Sequence, residues 1–403
     1  MKIRIFPSVA RGSISAPPSK SMAHRLLICA ALAQGESCIR GVSDCEDVQA
    51  TLDCLRVLGA ECKIDNNAVI VKSIDFAKQS NSVLPCRESG STMRFLLPLC
   101  LLSGKATTLV GTPSLLNRPM TPYQNLCHEH NLLFEQTENG ITVKGQLKAG
   151  EYTLPGDVSS QFISGMLFAL TQVEGESTLR ILPPFESRSY VLLTLQALAT
   201  FGADIRWIDE NTLRICGGKQ MHAQALTVEG DYSNAAFFSA LNVFGGEVNV
   251  TGLHPASLQG DRIYFEHFAS LEKGFATISL ADCPDLAPIL FALAAKGKGA
   301  RFVDTRRLAI KESNRAQTMA TELRKFGTTV EIFENEVIVT PTAFHAPAEN
   351  LFGHNDHRIV MSLAVLATLT GGVIEGAEAV TKSFPDFFEY ITLLGIQTEE
   401  MNS

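Results

Sequence analysis

The sequence predicts an α/β protein of two domains, each built from three similar repeats. Its length of 403 residues is too great for one comfortable hydrophobic core. Along the chain a helix repeatedly ends on a small residue and is followed by alternating strands, as in LRVLGAECKID and LRKFGTTVEIF. The six copies of this junction are centred on Gly59, Asn131, Gly202, Gly274, Gly327 and Gly395.

The repeats are close to 70 residues long, since successive junctions lie 72, 71, 72, 53 and 68 residues apart. Glycine or asparagine suits the residue after a helix, which often adopts the left-handed conformation. The turn signals DNN, TENG, DEN and ENE then predict β-hairpins. A repeat of this length is a small subdomain of two helices and a sheet rather than a solenoid unit. Three such repeats would give each domain a pseudo-threefold axis.

The domain crossings are predicted at two breaks rich in Pro or Gly, APPSK and VEGDYS. We therefore expect residues 1–19 and 229–403 to form a discontinuous domain, and residues 20–228 to form an inserted one. The inserted domain would carry most of the clusters at the starts of the earlier helices. The discontinuous domain would carry two notable carboxylates and the cationic clusters near the C-terminus.

Composition excludes several classes of partner and cofactor. A net charge of −8 argues against a broad nucleic-acid surface, and no apolar run reaches the roughly 18 residues of a membrane span. The ten cysteines include no C-x-x-C pair, and the N-terminus alternates like a strand without a targeting pattern. No metal-ligand spacing and no glycine-rich nucleotide loop is present. We expect a soluble cytoplasmic monomer with reduced thiols, no metal and no cofactor.

The stretch PPSKSMAHR places cations and hydroxyls directly before an apolar helix. Pro17 and Pro18 end a strand, and Ser19 or Ser21 is the candidate N-cap. Free N–H groups and the positive end of the helix dipole favour anions here, so Lys20, Ser21 and Arg25 form a candidate anion site. The alternative is an ordinary capped helix with solvated charges.

Seven similar clusters recur along the chain at predicted helix starts, and together they indicate recognition of a small molecule with several negative groups. Two carboxylates stand among the cations: Asp285 lies between prolines before a very apolar helix, and Glu312 lies between Lys311 and Arg315. Each could be a cap or a surface ion pair, but within an anion site they are candidates for proton transfer. The other cluster residues are Gly90, Arg118, Ser159, Ser160, Gln161, Ser187, Tyr190, Arg358 and Lys382.

The motifs SKSMAHR, ESGSTMRF, NRPM, SSQF, PDLAP, IKESNR, NDHR and KSFPDFFE occur in this order over nearly the whole chain. Together they resemble the EPSP synthase family of enolpyruvyl transferases. The resemblance implies a two-domain inverse α/β barrel, with three βαβαββ units in each domain and the active site in the interdomain cleft. It also implies transfer of the enolpyruvyl group of phosphoenolpyruvate to the 5-hydroxyl of shikimate 3-phosphate, without a cofactor, on the route to aromatic amino acids.

The resemblance also implies individual roles. Asp285 would accept the proton of the attacking hydroxyl, Glu312 would move protons at the methylene carbon, and Lys20 would contact both substrates. The implied contacts with shikimate 3-phosphate are Lys20, Ser21, Arg25, Ser159, Ser160, Gln161, Ser187, Tyr190, Asp285 and Lys311. The implied contacts with phosphoenolpyruvate are Lys20, Gly90, Arg118, Gln161, Arg315, Arg358 and Lys382.

The sequence departs from the family's motifs at two positions and leaves two alternative functions open. His24 replaces an asparagine that is usual in the family, and Glu88 adds a negative charge close to the proposed anion pocket. One alternative is the sister enzyme that uses UDP-N-acetylglucosamine, but Pro113 stands where that enzyme usually has a reactive cysteine. The other is a non-catalytic, anion-binding relative, against which the presence of Asp285 and Glu312 argues.

Overall fold

Two separate hydrophobic cores divide the chain into two structural units. The computed structural model describes residues 1–75 and 80–401. The split unit consists of Met1–Pro17 and Gly230–Ser403, and the continuous unit consists of Pro18–Glu229. One core runs in sequence from Ile3 to Ile396 within the split unit, and the other runs from Met22 to Val228 within the continuous unit.

The described residues form helices and strands in regular alternation. The helices are α1 (Lys20–Leu32), α2 (Glu46–Val57), α3 (Gly90–Cys100), α4 (Pro113–Leu116), α5 (Thr121–Glu129), α6 (Ser160–Leu170), α7 (Arg188–Thr200), α8 (Tyr232–Val243), α9 (Tyr264–Lys273), α10 (Ala287–Lys296), α11 (Arg315–Arg324), α12 (His357–Thr370) and α13 (Phe387–Leu393). The strands are β1 (Lys2–Ile5), β2 (Arg11–Ser15), β3 (Glu36–Arg40), β4 (Glu61–Asp65), β5 (Ala68–Lys72), β6 (Ser82–Pro85), β7 (Thr107–Val110), β8 (Leu133–Thr137), β9 (Gly140–Lys144), β10 (Glu151–Pro155), β11 (Gly175–Leu182), β12 (Asp204–Trp207), β13 (Thr212–Gly217), β14 (Ala225–Thr227), β15 (Glu247–Thr251), β16 (Ala276–Ser279), β17 (Ala300–Val303), β18 (Thr329–Ile332), β19 (Glu336–Thr340), β20 (Leu351–Phe352), β21 (Gly372–Glu375) and β22 (Thr398–Met401).

In its described residues the continuous unit contains three four-stranded sheets of one topology. Their strand orders are β14-β3-β5-β4, β6-β7-β9-β8 and β10-β11-β13-β12. In each sheet the first pair of strands is parallel, and the last two strands form the antiparallel hairpin that the turn signals predicted. The sheet order and the helix positions give three copies of one repeat, with β14 completing the first copy from the far end of the unit.

The split unit contains two sheets of the same topology and one shorter sheet. The orders β16-β17-β19-β18 and β20-β21-β1-β22 repeat the pattern, whereas β2 and β15 form only a parallel pair among the described residues. This third repeat lacks the hairpin, which explains why one junction spacing is only 53 residues. The expected left-handed residue is present at five junctions but not at Gly274, whose φ of 173° is extended, because β16 of the next repeat follows directly.

The first helix of each repeat is buried on nearly all faces. Helices α1, α3 and α6 of the continuous unit are almost wholly buried, as are α8, α10 and α12 of the split unit. Their sequences are apolar all round, as a helix inside a core must be. Polar and charged residues concentrate at their N-terminal ends, so the fold places the predicted site residues where backbone N–H groups have no partner within the helix.

Three further observations bear on the expected exclusions. No helix within residues 1–75 and 80–401 is long and apolar enough to cross a membrane. In the same residues, no three His, Cys, Asp or Glu side chains are grouped so that they could hold a metal ion. All ten cysteines are free thiols, as expected.

Candidate active site

The start of α1 combines a capping serine with an ion-paired lysine. The Met22 backbone N–H donates to Ser19 Oγ at 3.4 Å, so Ser19 rather than Ser21 is the N-cap. Lys20 Nζ lies 2.7 Å from Asp47 Oδ2, and both side chains are about nine-tenths buried. Asp47, in the first turn of α2, was missed by sequence reasoning because the contact joins residues far apart in the chain. It sets where the Lys20 ammonium lies.

Arg25 joins the start of α1 to α7. Its Nε donates to Thr194 Oγ1 at 2.8 Å, and its Nη groups donate to the backbone oxygens of Ser21 at 2.6 Å and Tyr190 at 2.9 Å. The guanidinium also lies over the Phe95 ring, 5.0 Å from its centroid. Burial lowers the pKa of Arg25 to about 10, so it stays charged near neutral pH. Its predicted contact with a substrate stays a prediction.

Ser187 and Tyr190 lie at the start of α7. Ser187 precedes the helix with φ 52°, in the left-handed region, and is buried. Tyr190 is in the first turn, and its carbonyl is the one that accepts from Arg25. The structure therefore brings Tyr190 next to Arg25, with Ser187 three residues earlier in the chain, although it does not test the role of either residue in binding.

Gly90, Arg118 and Gln161 are brought together between α3 and α6. Gln161 Oε1 accepts from Arg94 Nη1 at 2.8 Å, and Gln161 Nε2 donates to Ser91 Oγ at 2.9 Å. A Cβ added at Gly90 would lie 3.0 Å from Arg118 Nη1. The absence of a side chain at Gly90 thus leaves the two guanidinium groups and the amide around one small space.

Serines cap the two helices that carry this group. Ser89 Oγ accepts from the Thr92 N–H at 3.2 Å at the start of α3, and Ser159 Oγ accepts from the Gln161 N–H at 3.3 Å at the start of α6. Ser160 is the first residue of α6 and is buried. The predicted SSQF cluster therefore begins with a serine that serves as a cap, which holds Gln161 towards Arg94.

His24 belongs to a buried chain of hydroxyl groups. Its Nδ1 lies 2.7 Å from Thr51 Oγ1, Thr51 Oγ1 lies 2.7 Å from Thr92 Oγ1, and Thr92 donates to Ser89 Oγ at 2.7 Å. Burial, with the charges of Lys20 and Arg25, holds the pKa of His24 well below its usual range. A neutral imidazole thus connects α1, α2 and α3.

Asp285 is the meeting point of three cations in the split unit. It lies in a 3-10 turn just before α10, with 17% of its side chain exposed. Its Oδ1 accepts from Lys311 Nζ at 3.1 Å and from Arg315 Nη1 at 2.8 Å, and its Oδ2 accepts from Arg358 Nη2 at 3.0 Å. Four of the residues that the sequence singled out are therefore in direct contact.

Arg315 joins this group to two more carboxylates. It is 1% exposed, and its Nη2 donates to Glu312 Oε2 at 2.7 Å while its Nε donates to Asp356 Oδ2 at 2.9 Å. Asp356 is fully buried and caps α12 by accepting from the Arg358 N–H at 3.0 Å. Nothing in the sequence indicated that Asp356 in N-D-H-R contacts Arg315, because an aspartate before an apolar helix is usually explained as an N-cap. It is a cap and an arginine ligand at once.

Lys382 reaches the turn that precedes Asp356. Its Nζ donates to the Asn355 carbonyl oxygen at 2.6 Å, and the lysine is 6% exposed. It follows from these contacts that the two C-terminal motifs, NDHR and TKSFPDFFEY, are adjacent in the fold. Every cation predicted in the split unit thus contacts either Asp285 or this turn.

The surrounding charges determine the protonation of Asp285. Burial alone would raise its pKa, but Arg358, Lys311 and Arg315 hold the pKa of Asp285 well below its usual range. Burial lowers the pKa of Lys311, although the charge of Asp285 opposes that effect. Asp285 is therefore a carboxylate near neutral pH.

Asp261 is a second buried acid close to this cluster. Burial raises its pKa to about 7, the charge of Asp285 adds to the rise, and Arg358 opposes it. The Ser233 hydroxyl donates to Asp261 Oδ2. Sequence reasoning missed this residue, because the short turn L-Q-G-D carries no signal of burial.

Comparison with known proteins identifies the family. A model described as EPSP synthase (3-phosphoshikimate 1-carboxyvinyltransferase) matches residues 7–391. A 3-phosphoshikimate 1-carboxyvinyltransferase of Clostridium perfringens (strain SM101 / Type A) is 35% identical over 423 residues, covering 99% of this chain and 100% of the relative. The chain belongs to the EPSP synthase family. A relative of the same name from Clostridium acetobutylicum is also 35% identical, over 421 residues, covering 99% of this chain and 98% of the relative.

Solved EPSP synthase structures share the fold. The 2.37 Å structure of the enzyme from Acinetobacter baumannii has a TM-score of 0.78 and 24% sequence identity, and the match covers 99% of this chain and 100% of that chain. The predicted fold class, the two-domain inverse α/β barrel of the EPSP synthase family, is thereby confirmed. The resemblance drawn from the eight motifs is confirmed as well.

Proposed function

We propose that this chain transfers the enolpyruvyl group of phosphoenolpyruvate to the 5-hydroxyl of shikimate 3-phosphate and releases inorganic phosphate. The observation that carries the proposal is the convergence of Lys311, Arg315 and Arg358 on Asp285. Cations of this kind bind a multiply anionic donor, and a carboxylate among them can accept a proton. Membership of the EPSP synthase family supports the choice of substrates.

The donor would be bound by guanidinium and ammonium groups that are already held in place by carboxylates and a backbone carbonyl. Arg315, Arg358 and Lys382 would pair with its phosphate and carboxylate, because these cations are already held in place by Asp285, Asp356 and the Asn355 carbonyl. Gly90, Arg118 and Gln161 would supply the remaining contacts with phosphoenolpyruvate. Lys20 would contact both substrates. Such prior fixing lowers the ordering cost of binding.

The acceptor would be bound mainly by the starts of helices α1, α6 and α7. The hydroxyl, amide and cationic groups at these helix starts support this assignment, as does the positive end of each helix dipole, which favours a phosphate. Asp285 and Lys311 would lie beside the reacting hydroxyl. The other proposed acceptor contacts are Lys20, Ser21, Arg25, Ser159, Ser160, Gln161, Ser187 and Tyr190.

The chemistry would proceed by addition and then elimination. The 5-hydroxyl oxygen forms a bond to C2 of phosphoenolpyruvate, its proton passes to Asp285, and Glu312 supplies a proton to the methylene carbon. The result is a tetrahedral phospho-ketal with a methyl group. Phosphate then leaves C2 with the electron pair of the C–O bond and takes the proton held by Asp285, while the Glu312 carboxylate takes back a methyl proton, which restores the double bond. The cations would stabilise the charge on the departing phosphate.

Binding of the donor would also activate the base. In the structure, three cations lower the pKa of Asp285 and so weaken it as a base. When the phosphate and carboxylate of the donor pair with Arg315 and Arg358, the hold on Asp285 weakens and its basicity rises. Proton transfer is therefore coupled to the presence of the donor.

The reaction is tested by measuring phosphate release from phosphoenolpyruvate with each acceptor in turn and with EDTA present. Release that requires shikimate 3-phosphate and survives EDTA supports the proposal. Release only with UDP-N-acetylglucosamine would identify the sister activity, and binding without release would identify a non-catalytic relative. We further propose that the protein is cytoplasmic, which its free thiols support. We also propose that it is a monomer, and light scattering would test this by measuring its mass in solution.

A further inference from the structure

The segment that leads into α12 has an unusual backbone. His354 and Asn355 are consecutive and both have positive φ, at 50° and 55°. The left-handed region is sparsely populated by residues other than glycine, and two such residues in a row require support from the surrounding structure. The segment carries the Asn355 carbonyl that accepts from Lys382 and the Asp356 carboxylate that accepts from Arg315.

The support comes from Glu322, near the end of α11. This carboxylate is fully buried, and it accepts from His354 Nε2 at 2.8 Å and from the Phe352 backbone N–H at 3.0 Å. It also accepts from Lys325 Nζ at 2.9 Å, and Lys325 donates in turn to the Asn350 carbonyl at 2.8 Å. Glu322 therefore fastens the segment at alternate residues, directly or through Lys325.

The same helix carries Arg315 and Glu322, about two turns apart. Arg315 holds Asp356 at one end of the segment, and Glu322 holds its beginning and middle. A carboxylate that accepts hydrogen bonds from three partners, charged and backbone donors among them, fixes these partners more strongly than a neutral acceptor could. A displacement of the turn would move the Lys382 and Arg315 partners together.

We infer that Glu322 and His354 are positioning residues for the donor-binding cations, acting through the left-handed turn at His354 and Asn355. Neither residue needs to touch a substrate. Glu322 is enclosed by its partners, and its effect reaches Lys382 through the Asn355 carbonyl and Arg315 through Asp356. The inference rests on the proposed function, in which these cations bind phosphoenolpyruvate.

Two variants of His354 separate the hydrogen bond from the backbone preference. In H354Q the amide Nε2 can replace the imidazole Nε2 as donor to Glu322, whereas H354N is too short but tolerates a left-handed backbone best. If the hydrogen bond matters, H354Q keeps the wild-type KM for phosphoenolpyruvate and H354N raises it roughly tenfold or more. The KM for shikimate 3-phosphate stays within about twofold in both.

A result in the opposite order, with H354N like the wild type and H354Q impaired, would overturn the inference, as would an unchanged KM in both variants. The E322Q variant is expected to raise the same KM further, and an unchanged KM in folded E322Q would also overturn it. E349Q is the matched control, because Glu349 is exposed and directly precedes Asn350. Because His354 is about one-third exposed, its variants should fold even if E322Q does not.

Inorganic phosphate serves as a probe that does not depend on turnover. Its dissociation constant, measured by calorimetry on the same variants, should follow the order wild type, H354Q, then H354N as the weakest. If the wild-type chain lacks transferase activity but the phosphate order holds, the proposed function fails and the positioning role stands. If transferase activity is present and neither phosphate nor phosphoenolpyruvate binding changes in H354N, the positioning role fails alone.

Discussion

Replacement of Asp285 by asparagine separates proton transfer from donor binding. The carboxylate accepts from Lys311, Arg315 and Arg358 at 2.8–3.1 Å, so it occupies two cations, Arg315 and Arg358, that the donor anion would use. Asparagine preserves the shape but cannot accept the proton of the attacking hydroxyl. We expect kcat to fall roughly 10²- to 10⁴-fold, the usual contribution of a general base. That loss corresponds to about 3–5 kcal/mol in activation free energy.

Donor affinity should change in the opposite sense or not at all. Loss of the Asp285 charge removes a competitor for the cations, so the dissociation constant for phosphoenolpyruvate should stay equal or decrease. The fold should tolerate the change, because Arg315 keeps its bonds to Glu312 and Asp356. A stability loss on the order of 1–3 kcal/mol is expected for the bonds to Asp285 that are weakened.

The assay combines steady-state phosphate release with calorimetric binding of phosphoenolpyruvate in the presence of shikimate 3-phosphate. D282N is the matched control, because Asp282 is an exposed carboxylate three residues earlier in the same loop, and it should behave like the wild type. A wild-type kcat in D285N would refute the assignment of the base. A large loss of donor affinity with little change in kcat would show that Asp285 acts only by arranging the cations.

Three further changes have defined outcomes. Alanine at Gly90 would place a methyl group 3.0 Å from Arg118 Nη1, so the KM for phosphoenolpyruvate should rise severalfold more than that for shikimate 3-phosphate in steady-state kinetics. The pKa of Asp261 is raised to about 7 in the folded protein, above the unfolded-state pKa of about 4. Between about pH 4 and pH 7 the Asp261 carboxyl is therefore protonated in the native state but largely ionised in the unfolded state. Stability should therefore fall as pH rises from about 4 to 7, and urea unfolding of D261N should lack this slope. Burial lowers the pKa of His24 in the folded protein. The neutral imidazole therefore makes its full contribution to stability above the unfolded-state pKa of about 6.5, and this contribution is lost as pH falls below that value. H24N, which can still bond Thr51, should show less loss of melting temperature between pH 7 and pH 5 than the wild type.

The fold was predictable as far as local patterns reach. The helix-to-strand junctions and hairpin signals gave the repeats, because a left-handed residue and a tight turn each need particular residue types. The spacing of 53 residues was visible in the sequence, but only the pairing of strands shows that, within the described part of the chain, β2 and β15 have no hairpin beside them. Gly274 resembled the other junctions in sequence and differs because the strand after it belongs to the next repeat.

Site residues were predictable where charge concentrated at a helix start. Lys20, Asp285 and Arg315 stood out because charged residues beside apolar helices are expected to be partly buried, and buried charges are rare unless they are paired. Their partners Asp47 and Asp356 did not stand out in the sequence. An acidic residue in the first turn or at the N-cap of a helix is common, because it caps the helix or interacts favourably with the helix dipole. The buried Glu322 was hidden for a different reason: in A-T-E-L-R-K it has the spacing of an exposed ion pair with Lys325.

The most direct test of addition and elimination at this site is turnover in D₂O, followed by mass spectrometry of the product and of recovered phosphoenolpyruvate. If the methylene carbon is protonated to a methyl group and later deprotonated, the account predicts deuterium in the vinyl group of the product and in the recovered donor. The E312Q variant should lose this incorporation together with phosphate release. Full turnover to product without deuterium would contradict the account, because the methylene carbon would never have gained a solvent-derived proton and Glu312 would have no step to perform.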